Sequence, residues 1–207
     1  MRALKFLGEG GVGPFSGFRW PLPEGGAPGG WVEASEATRA CSRGVHACLP
    51  ADLPYWLAPE LYVMELGGAV TRAELKLVAP RGRLLGRIEG WTGERARELA
   101  VAAVLHARDT AVAILCAEAE APIADRIAAC ADVTALQDTL AGASPSSDRG
   151  KLALEYLDDA ACSLASPAVS AYCAARVGLD RRGYLAERAW QAEWLARALG
   201  LWEALAG

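Results

Sequence analysis

The sequence predicts an α+β protein, in which a small, mostly antiparallel sheet over residues 1–90 packs against an Ala-rich helical bundle over residues 91–207. Two observations carry this. The composition changes near residue 91, from Gly, Pro, Trp and short apolar runs to long Ala/Leu/Arg/Glu segments. Before that point lie five or six short extended runs, about what one antiparallel or mixed sheet requires. With 207 residues, 53% of them hydrophobic, the chain is long enough for one good core or for two subdomains.

In chain order, RALKFL (2–7) reads as a first strand, followed by the glycine-rich GEGGVGPFSGF and then FRWPLP, extended because a residue before proline disfavours helix. PEGGAPGG (23–30) is a loop, and WVEA (31–34) a short strand. GVHACL (44–49) is a further strand, and PADLPYWL (50–57) a short helical turn capped by Asp52. ELYVMELGG (60–68) is the clearest strand, because Leu61, Val63 and Glu65 alternate against Tyr62, Met64 and Leu66 before a Gly-Gly turn. AELKLVA (73–79) and RLLGRIEG (83–90) complete the set. A long core helix then starts after Thr92, with Glu94 in its first turn and Val101, Val104, Leu105, Val112 and Leu115 on one stripe. Helices follow near 121–131, 133–142, 149–164 and 167–177, with a mobile loop at 142–150. The last helix, from Leu179, has Trp190, Trp194 and Leu201 in one direction and Leu195, Leu199 and Trp202 in another.

Charge and cysteine usage narrow the function classes. A net charge of −4 and a pI near 5.3 supply no basic footprint for nucleic acid, so no nucleic-acid partner is expected. Arg108 and Asp109 interrupt the longest apolar stretch, Leu99–Ala117, so no membrane span is expected. MRALKFLGEGG has no h-region or cleavage site, and a cytoplasmic protein follows. The six cysteines are then thiols. Arginine outnumbering lysine, with abundant alanine, has the look of a GC-rich bacterial genome.

GEGGVG (8–13) matches G-x-G-x-x-G after a strand. However, Pro14-Phe15-Ser16-Gly17 follows where a dinucleotide site needs a helix start, so the expectation is a bulged connection. ACSRGVHACLP (40–50) holds the cluster Cys41, His46 and Cys48. On a strand His46 and Cys48 share a face, and Cys41 joins them only across the Ser42-Arg43-Gly44 turn. Three readings stay open: a buried hairpin with a hydrogen-bonded histidine, a His-centred ligand or nucleophile site, and a metal site lacking its fourth ligand. The remaining cysteines sit among alanines as small hydrophobes. Arg19 beside Trp20, with Tyr55 and Trp56, makes a recipe for a planar anionic ligand, an arginine fork plus aromatic walls. Glu65 is a candidate lining carboxylate.

Taken in order, GFRWPLP, CSRGVHAC, PADLPYW, ELYVMELGG and KLVAPRGRLL give a pattern of G-F-x-[YW], C-x-x-G-[FI]-H-[AF]-C, D-x-x-x-[YW] and V-E-[LA]-x-G. Over residues 15–90 this resembles a domain family of bacterial and phage proteins of unknown function. The match centres on Cys41, Gly44, His46 and Cys48. More remotely, an arginine-bearing strand, a G-x-H strand and an aromatic helix resemble the start of ADP-ribosyltransferase-type folds. That likeness implies a late catalytic glutamate, for which Glu65 and Glu89 are the candidates.

The leading expectation is a cytoplasmic enzyme handling a small ligand or nucleotide in a pocket between sheet and bundle. His46, Cys48 and Glu65 are its catalytic candidates, and Arg19, Trp20, Cys41, Tyr55 and Trp56 its ligand-binding ones, with no cofactor assignable. The alternatives are an interaction or immunity-type module, homodimeric through the Trp-rich terminal helix, and a metal site on Cys41, His46 and Cys48.

Overall fold

RALKFL is apolar at nearly every position, as suits a strand covered on both faces. In a computed structural model, which describes residues 1–34 and 44–206, it forms β1 (Arg2–Leu7) with Ala3, Leu4 and Leu7 fully buried. β2 (Val32–Glu33), β3 (Val45–Ala47), a 3-10 helix (Pro50–Tyr55), β4 (Glu60–Gly67), β5 (Thr71–Ala73), β6 (Lys76–Ala79) and β7 (Arg81–Arg87) follow. All pair antiparallel, in one sheet ordered β1-β4-β7-β2 and another ordered β3-β6-β5. A register shift between Val63 and Met64 bends β4 against β7.

The two sheets are joined where Leu4 and Cys48 exchange backbone hydrogen bonds of 2.9 and 2.8 Å. Ala3 and Leu7 of β1, Val45 and Ala47 of β3, Met64 of β4, Leu77 of β6 and Leu84 of β7 form one core, closed by Trp20. The fold is therefore α+β with an antiparallel strand-rich part, as the sequence predicts. The run 73–79 departs from its single-strand reading. Ala73 faces Lys76 across the two-residue turn Glu74-Leu75, so the run is the tip of a hairpin. Arg72 holds this turn by donating to the Glu74 carbonyl at 3.2 Å and both carboxylate oxygens of Asp52.

The helices are α1 (Gly93–Ala117), α2 (Ala121–Ala128), α3 (Val133–Ala141), α4 (Asp148–Cys162), α5 (Pro167–Arg176), α6 (Arg181–Ala198) and α7 (Leu201–Ala206). Asp132 caps α3 by accepting from the Ala135 amide at 2.9 Å, and Ser147 caps α4 through the Gly150 amide at 3.0 Å. α1 turns a face of small residues to its core, with Ala100, Ala103, Ala107 and Ala111 fully buried beside Leu99, Val104 and Leu115. Val101, Leu105 and Val112, expected to lead the stripe, flank it half-buried. Contrary to the expectation that Arg108 and Asp109 interrupt the span, α1 is by length and composition apolar enough to cross a membrane, and one stripe of it is buried in the helical core. The loop expected to be mobile is tied down by Glu120, which accepts from the Ser146 and Ser147 amides and the Ser146 hydroxyl.

Two compact units result. Met1–Gly93 groups with the C-terminal residues from Ala192, and Glu94–Gln191 forms the other. The expected boundary at 90/91 is close to the first junction, but the terminal residues cluster with the strand-rich unit. The terminal helix also breaks at Gly200, whose φ of +59° is the left-handed conformation that closes a helix end.

Candidate functional site

The pairing of β1 with β3 is confined to the Leu4–Cys48 bridge, and beyond it the space beside the two strands is open. A cavity of about 690 Å3 lies there, within the range of small-ligand sites. Leu4, Lys5 and Phe6 of β1 line it from one side, and Gly44 to Cys48 from another. Trp20, Trp56, Lys76, the 13–18 loop with Phe15 and Phe18, and Val32, Glu33 and Ala34 complete the described wall. All these residues belong to the strand-rich unit.

Strand alternation sends Val45 and Ala47 into the core and leaves His46 half-buried on the cavity wall. His46 Nε2 is buried and has no hydrogen-bond partner among the described residues. Such an atom is rare in a folded protein and marks a place for water or a ligand. Burial holds the His46 pKa below its usual value, and the charges of Lys76 and Lys5 lower it further. The imidazole is therefore neutral at pH 7, able to donate or accept one hydrogen bond.

Lys5 donates to the His46 carbonyl at 2.6 Å across the opening, and its ammonium stands 4.7 Å above the Trp20 ring. Burial lowers its pKa to about 8. Lys76 lies 5.4 Å over the Trp56 ring, whose indole N–H is fixed on the Leu75 carbonyl at 2.8 Å. Among the described residues neither lysine has a carboxylate partner: each cation rests on an aromatic face instead. Phe15 and Phe18, 86% and 45% exposed, meet Trp56 and Trp20 edge-on at centroid distances of 6.1 and 5.6 Å.

The structure brings together His46, Cys48, Trp20 and Trp56 of the predicted set and places Glu65, Arg19 and Tyr55 elsewhere. Cys48 is nearly sealed and gives its thiol hydrogen to the Leu4 carbonyl at 3.3 Å. Burial pushes its pKa up to about 12, so the thiolate needed for nucleophilic or metal chemistry is suppressed at neutral pH. Glu65 is outside the wall, held by Arg83 at 2.8 Å. Arg19 is exposed on its loop, and Tyr55 lies half-buried in the 3-10 helix, neither on the wall. Cys41 lies outside the described residues, among which no three His, Cys, Asp or Glu side chains gather for a metal.

Sequence reasoning passed over Lys5 and Lys76. A signal was present: the chain has three lysines, and these two stand between large apolar neighbours, Leu4 and Phe6 or Leu75 and Leu77, inside strands. The glycine loop also has an unforeseen occupant. The Gly10 and Gly11 amides, both at positive φ, donate to the Glu60 carboxylate at 3.3 and 2.9 Å. This anion nest thus holds an internal carboxylate, which Tyr62 and Arg87 also bind, at 3.0 and 3.2 Å.

No family model matches the chain, and neither a curated protein nor a solved structure matches it, so the resemblance over residues 15–90 rests on its own residues.

Proposed function

We propose that this chain is a cytoplasmic enzyme that handles a small planar anionic ligand, nucleotides included, in the cavity of its strand-rich unit, with His46 as the polar centre. The observation that carries the reading is His46, half-buried on the wall of a cavity of ligand size, with a buried Nε2 that has no hydrogen-bond partner among the described residues. The surroundings support it. Trp20 and Trp56 offer ring faces, and Lys5 and Lys76, which have no carboxylate partner among the described residues, outnumber the one carboxylate of the described wall, Glu33, in a chain of net charge −4. The role first given to Arg19 passes to these lysines, and the neutral imidazole suits a general base better than Cys48 suits a nucleophile.

The test pairs anions with neutral analogues, adenosine monophosphate with adenosine and indole-3-carboxylate with its amide, using thermal shift and 15N-resolved NMR. A bound anion at about 100 times its Kd stabilises by about 2.7 kcal/mol, a melting shift on the order of 5–10 °C. His46→Phe should abolish the shift. NMR perturbations absent from residues 4–6 and 44–48 would overturn the reading.

The rival docking reading has one specific support, Trp202, which is 63% exposed on α7. Trp190 is otherwise engaged, stacked on His106 at 4.0 Å, with His106 Nδ1 2.5 Å from the Glu187 carboxylate. Light scattering on the wild type and on Trp202→Asp tests self-association, and a wild type that runs as a monomer ends that reading.

A further inference from the structure

We propose that Lys5 is an amine nucleophile and that the cavity takes a carbonyl compound, an aromatic aldehyde carrying an anionic group, which Lys5 captures as an imine. This rests on the reading of the cavity as a small-ligand site and adds a covalent step to it. The geometry comes first. Lys5 is fixed near the middle of β1, paired to Tyr62 of β4, and lines the cavity. Its ammonium has a backbone carbonyl and a tryptophan face as partners, and no carboxylate among the described residues holds it in the charged form.

The same burial acts in opposite senses on the two nucleophile types in this wall. A low-dielectric site disfavours whichever form carries charge. For Cys48 the reactive form is the charged thiolate, and burial suppresses it. For Lys5 the reactive form is the neutral amine, and burial favours it. With a pKa of about 8, roughly a quarter of Lys5 is free amine at pH 7.5, against about one part in a thousand for an ordinary lysine.

The step balances without a further reagent. The Lys5 nitrogen lone pair adds to the aldehyde carbon, and a proton moves from nitrogen to oxygen to give a carbinolamine. Loss of that oxygen as water leaves the C=N bond. His46, neutral and lining the same cavity, would relay the proton. Lys76 supplies the charge for the ligand's anionic group, and Trp20 and Trp56 supply faces for its ring.

The test uses 4-carboxybenzaldehyde with cyanoborohydride, which fixes an imine as a stable amine, followed by peptide mass mapping of the full chain. The sequence makes it clean, because Lys5, Lys76 and Lys151 are its only lysines. Lys5 should be modified at least tenfold faster than Lys76 and Lys151, with a rate that rises to half its plateau near pH 8. 4-Carboxybenzamide, unable to form an imine, should compete. Equal labelling of the three lysines while the amide binds at residues 4–6 and 44–48 overturns the nucleophile and leaves the ligand site standing. No binding of the amide and no preference for Lys5 overturns both.

Discussion

Lys5, Cys48 and His46 show how one buried wall writes itself into the pH dependence of stability. Between pH 8 and 10.5 the unfolded chain holds a proton on Lys5 that the folded chain has lost, so stability rises with pH across that window. Cys48 does the reverse: from its ordinary 9.0 up to about 12 the folded chain keeps a proton that the unfolded one releases, and stability falls. Tyr62, raised from 10.0 to about 12 by burial and its hydrogen bond to Glu60, adds to that fall at the alkaline end. Stability in urea should therefore climb by roughly half a kcal/mol from pH 8 to 9 and then level off. Lys5→Met should remove the climb and expose the decline. Cys48→Ala should extend the climb towards pH 10. A flat wild-type profile from pH 8 to 9 would refute this account of the wall. His46 works in the same direction as Lys5 lower down, since its depressed pKa means that acidification through the ordinary histidine range costs stability.

At the scale of elements, the carboxylate of Glu60 joins β4 to the glycine loop that follows β1. It is 8% exposed and satisfies two amides, a phenol and a guanidinium at once. Glu60→Ala should cost about 3 kcal/mol by leaving those donors unsatisfied, and Glu60→Gln somewhat less, because one acceptor oxygen survives. Amide exchange at residues 8–13 should accelerate in both, and unchanged protection there would show that the loop holds without its carboxylate. The identity of that carboxylate was beyond the sequence, since residues 10 and 60 meet only after β1 and β4 pair in the Leu7↔Glu60 register. Local features were legible. The alternation around Val63, the start of α1 after Thr92 and the poor fit of GEGGVG to a dinucleotide loop all follow from neighbours within a few positions. His46 on one face with Cys48 was legible for the same reason. Which charges would stand beside His46 was not. Lys5 arrives from a strand 41 residues earlier, bridging to the His46 carbonyl, while Arg19, adjacent to a wall tryptophan in sequence, alternates outward. The hairpin at 73–79 was missed because Glu74 and Leu75 carry no turn signature, and the turn is held by Arg72 and the buried Asp52.

For the molecule as a whole, the assignment of the residues from Ala192 onward to the strand-rich unit makes that unit discontinuous in sequence. Leu195 and Leu201 are fully buried and Ala196 nearly so, and Arg2 of β1 reaches the Ala204 carbonyl at 3.5 Å. Burying two leucines contributes about 2 kcal/mol each, a large share of the roughly 5–15 kcal/mol that holds an ordinary domain together. A chain ending at Gln191 should therefore lose amide protection in β1, β4 and β7, far from the deletion in sequence. α2 to α5 rest on their own core of Ile127, Leu136, Leu154 and Leu157 and should keep theirs. Hydrogen exchange read by mass spectrometry resolves these peptides, and full protection of the three strands in the shortened chain would show that the strand-rich unit is complete without its C-terminal segment. If the strands do loosen, anion binding at His46 and labelling at Lys5 should fall with them, because β1 and β3, which carry these two residues on the cavity wall, are kept in place by the core beneath them.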